Sequence, residues 1–361
     1  MQLIIGTYTE TLDFVRGTAE GILSAPFDLA TGAVGPVTVA ARLRNPSYLA
    51  LSADGGNLYA VSETESFGDQ PGGGVAAFAR DRAAGRLTEL NAAPSAGPSP
   101  CFVSLDRTGR FVLVANYGTD AGSVSVYGIG PDGRLGPQTD HVAHAGSGPD
   151  PERQAGPHAH MIVSDPVTGA VLVTDLGADT VVVYRLDAAG RLGADNAERL
   201  ATPPGTGPRH LAFHPSGEYL FLVNELASTI VALRRDGHQF TVASRVSTRA
   251  DSTSGDNLAA AVRVTPSGRH VLVSNRGDDS VAVYRFDPAA GGLSLVGHVA
   301  TPGACPRDLV VAPDGRHVLV ACQDSDLIAS YPFDDATGQL GDPVVTSAAT
   351  PVCLVLAPTQ S

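Results

Sequence analysis

The segment Gly207–Arg235 reads GPRHLAFHPSGEYLFLVNELASTIVALRR, and it is one copy of a unit that recurs along the whole chain. The unit consists of a proline, a short apolar strand, a turn with glycine, a second apolar strand that ends in polar residues, and a third strand of alternating polarity. Six full copies start at Asn45, Ser99, Gly156, Gly207, Asn257 and Ala304. Shared among seven units, the 361 residues give roughly 50 residues per unit, which is typical of the four-stranded blades of a β-propeller.

The apolar runs have the lengths and boundaries of β-strands rather than of helices. Runs such as FVLVANY (111–117) and YLFLVNE (219–225) are rich in Val and Leu and are bounded by Gly, Asp and Ser. Pairs such as Asp54-Gly55 and Ser216-Gly217 lie between the first two strands, where a tight turn needs residues that tolerate positive φ. No window has a sustained helical period, so we predict an all-β chain.

The two ends of the chain supply the seventh unit in two pieces. The C-terminal TPVCLVLAP (Thr350–Pro358) matches a first strand, and the N-terminal QLIIGTYT (Gln2–Thr9) matches a second. An open array of blades would leave unpaired strand edges, which pairing of the terminal strands removes. We therefore predict a single domain over residues 1–361: a seven-bladed β-propeller of four-stranded blades, with its ring closed by the N- and C-terminal strands.

Composition narrows the classes of partner. The chain carries a net charge of −13, so we expect no nucleic-acid partner and no binding to anionic membranes. It has no apolar run long enough to cross a bilayer, and its first residues lack the basic and apolar regions of a signal peptide. The four cysteines lie far apart without a CxxC spacing. These features favour a reduced, cytoplasmic protein and leave its oligomeric state open.

Alignment of the blades places charged residues around one mouth of the central channel, because the first strand of each blade lines that channel. The residue that follows the aligned proline is Ser47, Cys101, His158, Arg209, Arg307 or Val352, with Ala261 in the copy without proline. The residue at the end of the second strand is Thr64, Tyr117, Leu176, Glu225, Arg276 or Gln323. The charged members fall in consecutive blades, which predicts three guanidiniums, a carboxylate and an imidazole on one side of one mouth.

This set of side chains predicts chemistry on a small anionic substrate. Arginine binds carboxylate or phosphate through two parallel hydrogen bonds and can stabilise an oxyanion, and a neighbouring Glu or His can accept a proton. A carboxyl group flanked by arginines should have a lowered pKa and be ionised at neutral pH. We predict as catalytic residues His158, Arg209, Glu225 and Arg276, and as substrate-binding residues His160, Arg307, Tyr117 and Gln323. The alternative is that these charges form ion pairs between blades that only hold the ring together.

The histidines raise the question of a metal. His158 and His160 form an HxH pair on one face of a strand, but a metal site needs a third ligand. His141 and His144, in the preceding segment, are candidates for that ligand only because they are histidines, since no constrained spacing supports them. We therefore predict no metal and no cofactor. His210 follows Arg209 directly in a strand, so it should point the opposite way and pack within its blade.

The loop Ala145–Pro157 is long, charged and rich in Pro and Gly. It leads into the inner strand of the copy that starts at Gly156, and functional loops are often carried at such positions. We expect it either to cover the channel mouth or to be a simple flexible insertion.

Two stretches carry a resemblance to a known family: GSGPDPERQAGPHAH (Gly146–His160) and GPRHLAFHPSGEYLFLVNEL (Gly207–Leu226). Together with the other blades, they resemble the seven-bladed lactonase family, which includes bacterial 6-phosphogluconolactonase and fungal carboxy-cis,cis-muconate cyclase. The resemblance covers nearly the whole chain. It implies a metal-independent site for processing lactones, and the family's functional residues fall on His158, Arg209, Glu225 and Arg276.

Our functional hypothesis is hydrolysis of a sugar-acid lactone, with 6-phospho-D-glucono-1,5-lactone as the favoured substrate, in carbohydrate metabolism. Glu225, assisted by His158, would activate water, Arg209 and Arg276 would hold the oxyanion and the anionic group, and Arg307 would be a further phosphate contact. One alternative is a carboxymuconate cyclase that uses the same residues. The other is a non-enzymatic propeller that serves as a scaffold or ligand sensor.

Overall fold

The computed structural model consists almost entirely of short antiparallel β-strands, and it describes residues 1–118, 122–194, 197–237, 239–251 and 253–359. The first third of the chain contains β1 (Gln2–Thr7), β2 (Thr11–Leu12), β3 (Val15–Arg16), β4 (Ile22–Pro26), β5 (Thr38–Ala41), β6 (Leu49–Leu51), β7 (Asn57–Ser62), β8 (Ser66–Phe67), β9 (Gln70–Pro71), β10 (Gly74–Arg80) and β11 (Leu87–Pro94). The middle contains β12 (Pro100–Leu105), β13 (Phe111–Asn116), β14 (Ser123–Ile129), β15 (Leu135–Ala143), β16 (Ala159–Ser164), β17 (Val171–Asp175), β18 (Thr180–Tyr184), β19 (Glu198–Ala201), β20 (Pro208–Phe213), β21 (Tyr219–Asn224), β22 (Thr229–Asp236) and β23 (Gln239–Ser247). The last part contains β24 (Leu258–Val264), β25 (His270–Arg276), β26 (Ser280–Asp287), β27 (Gly292–Ala300), β28 (Pro306–Val311), β29 (His317–Cys322), β30 (Leu327–Asp334), β31 (Gln339–Leu340), β32 (Val344–Ser347) and β33 (Pro351–Ala357).

These strands form seven blades, each a sheet built outward from the channel. The first blade has the order β33-β1-β4-β5, the second β6-β7-β10-β11, and the next four follow the chain as β12 to β15, β16 to β19, β20 to β23 and β24 to β27. In the seventh, β28, β29 and β30 are followed by β31 and β32, which both pair with β30. The prediction of an all-β, seven-bladed propeller of four-stranded blades is confirmed. Two small hairpins, β2–β3 and β8–β9, rise from the end of the second strand in the first and second blades.

Neighbouring blades pack face to face, and the core is the series of these interfaces. Between the fifth and sixth blades, the rings of Phe221 and Phe286 meet edge to face with centroids 4.8 Å apart. Between the first and second blades, Ile4 and Leu58 are buried in one cluster. Because each blade buries its two faces against its two neighbours, the core is complete when the ring is closed.

The inner strand of six blades contains a β-bulge near its start; in β24 the pairing skips Ala260 and Ala261, and in the other five strands it skips one residue. In β20 the strand partners run from Pro208 with Asn224 to His210 with Val223, and the pairing skips Arg209. The residues skipped in the equivalent strands are Cys101, His160, Arg307 and Val352. A bulge takes one side chain out of the regular alternation. The same backbone device therefore presents a different residue to the channel in each blade.

The described residues include no helix both long and apolar enough to cross a membrane. A 3-10 turn at Gln323–Ser325 follows β29. The four cysteines are free thiols, as their spacing predicts.

The ring is closed by pairing of β33 with β1. The register runs from Gln2 with Ala357 to Thr7 with Pro351, and most apolar side chains of both strands are buried, with Val355 and Leu356 partly so. At Gly6 the neighbouring backbone comes so close that an added Cβ would lie 2.6 Å from the Pro46 carbonyl oxygen. Closure by the terminal strands, which was predicted from two fragments of a repeat, is confirmed.

We expect a chain truncated after Thr350, which lacks β33, to lose cooperative unfolding. Removal of this strand exposes an edge of β1 and one face of the first and seventh blades, and it opens the ring. Urea unfolding followed by circular dichroism, compared with a control chain that ends at Thr359, measures the effect. A sharp transition at the midpoint of the control would contradict closure as the basis of stability.

Candidate active site at the channel mouth

A repeated backbone hydrogen bond defines equivalent residues at one mouth of the channel. The residue after the second strand of a blade donates its N–H, at 2.7–3.3 Å, to a carbonyl in the segment that enters the inner strand. The donors in six blades are Tyr8, Glu63, Tyr117, Leu176, Glu225 and Gln323. Arg276, paired with Leu258, holds this place in the sixth blade. We call these seven residues the mouth ring.

The residues at the inner-strand bulges form a second set, the bulge ring. Its members are Ser47, Cys101, His160, Arg209, Ala260, Arg307 and Val352. Ser47 belongs to it because Asn45 accepts the bond from Glu63 as Gly207 accepts the bond from Glu225, and each ring member lies two residues further on.

In the mouth ring, Glu63 takes the place that the sequence alignment assigned to Thr64. In most other blades this residue lies at a fixed distance along the chain from the turn glycine; the turn of this blade has two glycines, and alignment on the second, Gly56, gives Thr64. The residue with the positive φ of the other turns is Gly55, at 72°, which matches Gly217 at 74°. Counting from Gly55 leads to Glu63.

In the bulge ring, His160 takes the place that the alignment assigned to His158. Ala159 pairs with Asp175 as Pro208 pairs with Asn224 in the next blade. The proline of this copy stands two residues earlier in the chain than its strand position requires, so the alignment on proline was wrong here by two residues.

The two rings surround a cavity of about 910 Å³. Six of the eight predicted site residues are among its described lining residues: His160, Arg307, Tyr117, Gln323, Glu225 and Arg276. His158 and Arg209 are not among them. Hairpin β2–β3 contributes Phe14 to the rim, and the segment of hairpin β8–β9 contributes Ser66.

Glu225 is buried and bound by three guanidinium groups. Its Oε2 accepts hydrogen bonds from Arg209 Nε at 2.7 Å and from Arg276 Nη2 at 2.6 Å. Its Oε1 accepts one from Arg153 Nη2 at 2.6 Å. Arg209 also donates to the Ala260 carbonyl at 2.9 Å, which fixes its guanidinium behind the carboxylate.

The charges of this cluster are strongly coupled. Burial alone would raise the pKa of Glu225, but Arg276, Arg209 and Arg153 outweigh it and hold that pKa well below its usual value, as the sequence predicted. Burial, followed by repulsion from Arg276, lowers the pKa of Arg209 to about 10, so it remains charged at neutral pH. Within this cluster, three guanidiniums against one carboxylate leave two excess positive charges, in a chain whose net charge is −13.

Arg153 is a site residue that the sequence reasoning missed. Its loop is held down by the buried Gln154, whose Nε2 donates to the Leu176 carbonyl at 2.8 Å. Leu176 is the apolar member of the mouth ring, and Arg153 spans this gap, with Nη2 reaching Tyr117 Oη at 3.4 Å as well as Glu225. The expectation that the loop covers the mouth agrees with this contact. Comparison of blades cannot find Arg153, because the loop has no counterpart in the other copies.

His158 supports the wall behind Tyr117. Its Nδ1 donates to the carbonyl oxygens of Gly118 at 2.7 Å and Tyr117 at 3.1 Å, and its ring stacks on that of Tyr117 with centroids 4.3 Å apart. The Asp175 carboxylate accepts a hydrogen bond from the backbone N–H of His158 at 2.8 Å. It also contacts Nδ1 of His144 at 2.6 Å. A direct catalytic role for His158 stays a prediction.

His160 and His210 meet inside the channel, with ring centroids 5.3 Å apart. The expectation that His210 packs within its own blade is wrong: its Nε2 lies 3.2 Å from Arg209 Nη1, and its ring meets Phe102 of the third blade at 5.5 Å. The bulge at Arg209 breaks the strand alternation on which that expectation depended. Burial, reinforced by Arg209, holds the pKa of His160 well below its usual value, so the imidazole is neutral at pH 7.

Arg307 belongs to a second cluster on the other side of the mouth. Its Nη2 donates to Tyr8 Oη at 3.3 Å, and Tyr8 Oη donates to Glu63 Oε2 at 2.9 Å. The guanidinium carbon lies 5.6 Å from the ring centroid of Phe14 in hairpin β2–β3. The predicted single group of three arginines is therefore divided, and Arg153 takes the third place beside Glu225.

Within the part of the chain that the structure describes, no three His, Cys, Asp or Glu side chains are grouped so as to hold a metal ion. His141 contacts Ser125 Oγ at 3.1 Å, and His144 is paired with Asp175. Metal independence stays a prediction.

The chain matches a known family over nearly its whole length. The family model "Lactonase, 7-bladed beta-propeller" matches residues 2–356. A 6-phosphogluconolactonase of Bacillus subtilis is 38% identical over 308 residues, which are 85% of this chain and 83% of the relative. One of Formosa agariphila is 30% identical over 316 residues, 86% of each. The solved structure of a periplasmic gluconolactonase from Pseudomonas aeruginosa has 33% identity and a TM-score of 0.92, with 99% of each chain covered.

We expect Glu225→Gln to lower the free energy of unfolding at pH 7 by about 3–5 kcal/mol, because it leaves the buried Arg209 and the partly buried Arg276 and Arg153 without their counter-charge. The folded pKa of Glu225 lies below the unfolded value of about 4.3, so its stabilisation is complete above that pH and is lost as the pH falls through the folded pKa. Urea unfolding of both proteins from pH 7 downward should therefore show a constant difference that narrows in acid. Equal stability at pH 7 would refute this account.

Proposed function

The chain belongs to the seven-bladed β-propeller lactonase family, and we propose that it hydrolyses a sugar-acid lactone, with 6-phospho-D-glucono-1,5-lactone as the favoured substrate. The observation that carries the proposal is the ionised carboxylate of Glu225, held by three guanidiniums beside a cavity that has room for a sugar phosphate. The relatives called 6-phosphogluconolactonase support the choice of substrate.

The excess positive charge of the cluster around Glu225 favours an anionic lactone. Four guanidinium side chains line the cavity, those of Arg44, Arg153, Arg276 and Arg307, and Arg44 is paired with Glu10. Arginine forks match the oxygens of a phosphate, and a local group of positive charges in an acidic protein attracts an anion. We assign the phosphate to Arg307, whose single hydrogen bond to Tyr8 is long at 3.3 Å.

Glu225 is proposed as the base that activates water. In the free protein its Oε1 is occupied by Arg153, whose side chain is 34% exposed and can move. When a substrate anion attracts Arg153, Oε1 becomes free to accept a proton from water, and the loss of one cation raises the pKa of the carboxyl group toward neutrality. The water oxygen then attacks the lactone carbonyl carbon.

The remaining residues have distinct proposed roles. Arg276 lines the cavity and is the donor for the oxyanion that forms on the carbonyl oxygen. Arg209 is a positioning residue, because its hydrogen bonds to Glu225 and Ala260 set the direction of the carboxylate. His158 positions Tyr117 through ring stacking and the bond to its carbonyl.

Turnover of freshly prepared 6-phosphogluconolactone, corrected for spontaneous hydrolysis and measured with EDTA present, tests the activity and its metal independence. We expect Glu225→Gln and Arg209→Ala each to lower kcat by orders of magnitude; loss of one oxyanion donor in Arg276→Ala should cost about 10²–10³-fold. The matched control is Asp165→Asn, which removes a buried carboxylate bound twice by Arg235, at 2.6 and 2.9 Å, at the opposite end of the blade.

Wild-type activity in Glu225→Gln, Arg209→Ala and Arg276→Ala would refute the assignment of residues. Absence of lactone hydrolysis by the wild-type protein, with conversion of carboxy-cis,cis-muconate in a parallel incubation, would favour the cyclase. Turnover of neither substrate would favour a non-enzymatic propeller.

We expect Arg307→Ala to raise KM for the phosphorylated lactone about tenfold or more, because hydrogen bonds to charged groups are worth about 1.5–3 kcal/mol. KM for unphosphorylated gluconolactone should change little. Parallel kinetics on both substrates measure the difference, and an equal effect on both would rule out Arg307 as the phosphate contact.

A further inference from the structure

Glu63 and Glu225 are the two carboxylates of the mouth ring, and they occupy equivalent positions in the second and fifth blades of seven. They therefore face each other across the channel mouth, and both line the cavity. Glu63 is 9% exposed and Glu225 is 2% exposed, so each is a buried acid with access to the same space. Because the two residues hold equivalent backbone positions, the side chains around Glu63 can be compared directly with those around Glu225.

The bulge ring supplies different partners to the two carboxylates. Arg209 lies beside Glu225 and donates to it at 2.7 Å. Ser47 holds the same place beside Glu63, so the guanidinium of one blade is replaced by a hydroxyl in the other. Glu63 instead accepts a hydrogen bond from the phenol of Tyr8 on Oε2, which leaves Oε1 to carry a proton.

The electrostatic consequence follows from these partners. Burial raises the pKa of Glu63, and Arg307, which reaches it through Tyr8, offsets this only in part. Arg209 also acts on it from across the channel. Two carboxyl groups whose surroundings push their pKa values apart are the usual basis of an acid and base pair.

We propose that Glu63 is the general acid of the lactone reaction, the group that protonates the ring oxygen as the ring opens. This inference rests on the proposed function. Water attacks C1 and gives a proton to Glu225; the C1–O5 bond then breaks, its electron pair stays on O5, and the proton of Glu63 Oε1 completes the new hydroxyl. The product is the open acid, and proton exchange with solvent resets both carboxyl groups.

The connectivity of the substrate fits the grouping of Glu63 with Arg307. In a 6-phosphorylated 1,5-lactone, the carbonyl carbon is bonded to O5, and O5 is joined through C5 and C6 to the phosphate. The groups assigned to the ring oxygen and to the phosphate likewise belong to one hydrogen-bonded cluster, in which Tyr8 joins Glu63 to Arg307.

Several other groups face this part of the cavity. The Cys101 thiol of the third blade is close enough for the Glu63 charge to raise its pKa, after the larger effect of burial. Glu65, which accepts a hydrogen bond from Ser99, and the exposed Glu10–Arg44 pair lie on the same wall. Glu63, with Tyr8 and Arg307 inside this wall, is the most buried of the acids there.

The decisive variant is Glu63→Gln, which keeps the shape and the bond from Tyr8 but has no proton to transfer as an acid. We expect kcat to fall about 10²–10⁴-fold, with KM little changed. In the wild type, kcat/KM should fall as the pH rises through the Glu63 pKa, because the acid is then ionised; in Glu63→Gln this alkaline limb should be absent. Tyr8→Phe, which removes one stabilising bond from the carboxylate, should move the limb to higher pH.

A second measurement does not depend on substrate. The infrared difference spectrum between wild type and Glu63→Gln at pH 7 should contain the band of a protonated carboxyl group. Absence of the band, or a variant that keeps wild-type kcat and the alkaline limb, overturns the proposal even where Glu225→Gln is inactive as expected. A fall in melting temperature like that of Asp165→Asn, with kcat retained, identifies Glu63 as a purely structural acid.

Discussion

The pairing of β33 with β1 is the interaction on which the rest of the structure depends. Each blade buries its two faces against its neighbours, so the seven interfaces are complete only in a closed ring. Closure also fixes the radius of the channel mouth. The distances between residues of different blades, such as the 2.6 Å from Arg276 to Glu225, depend on that radius. Stability and site geometry thus have a common origin.

The site is made from differences between copies on an otherwise uniform backbone. Each blade offers one mouth-ring and one bulge-ring position, and many of these hold small or apolar residues such as Leu176 or Val352. Buried charges are unfavourable unless they are paired, and in two opposite groups of blades they are paired differently. Around Glu225 guanidiniums dominate, and around Glu63 a phenol and a hydroxyl take their place. The repeat makes the positions equivalent, whereas the side chains make them chemically unlike.

The repeat was sufficient to predict the fold, because seven copies of one pattern leave few architectures that bury all their apolar faces. It also predicted the cluster of Glu225, Arg209 and Arg276, since equivalent positions in adjacent blades must lie side by side. Two positions were aligned wrongly because the local sequence pattern does not determine the strand register there. Two adjacent glycines led to Thr64 instead of Glu63 in the mouth ring, and a proline two residues early led to His158 instead of His160 in the bulge ring. A β-bulge is invisible in a pattern of alternation, so the direction of side chains near it could not be inferred.

Residues outside the repeat were beyond the reach of this reasoning. Arg153 enters the site from a loop that exists in one copy alone, and its contact with Glu225 connects residues 72 positions apart in the chain. Only the folded ring brings that loop over the gap at Leu176. Comparison of copies therefore predicts the regular part of such a site, and long-range loop contacts require the structure.

The β-bulge at the start of the inner strands has an evolutionary consequence. At a bulge the residue is skipped by the strand pairing, so its side chain does not follow the alternation that the partner strand imposes on the rest of the strand. Substitution at Cys101, His160, Arg209, Arg307 or Val352 can therefore alter what the channel binds without disturbing the hydrogen-bond ladder. One backbone can acquire a series of specificities through separate single-residue steps, each taken in a different blade.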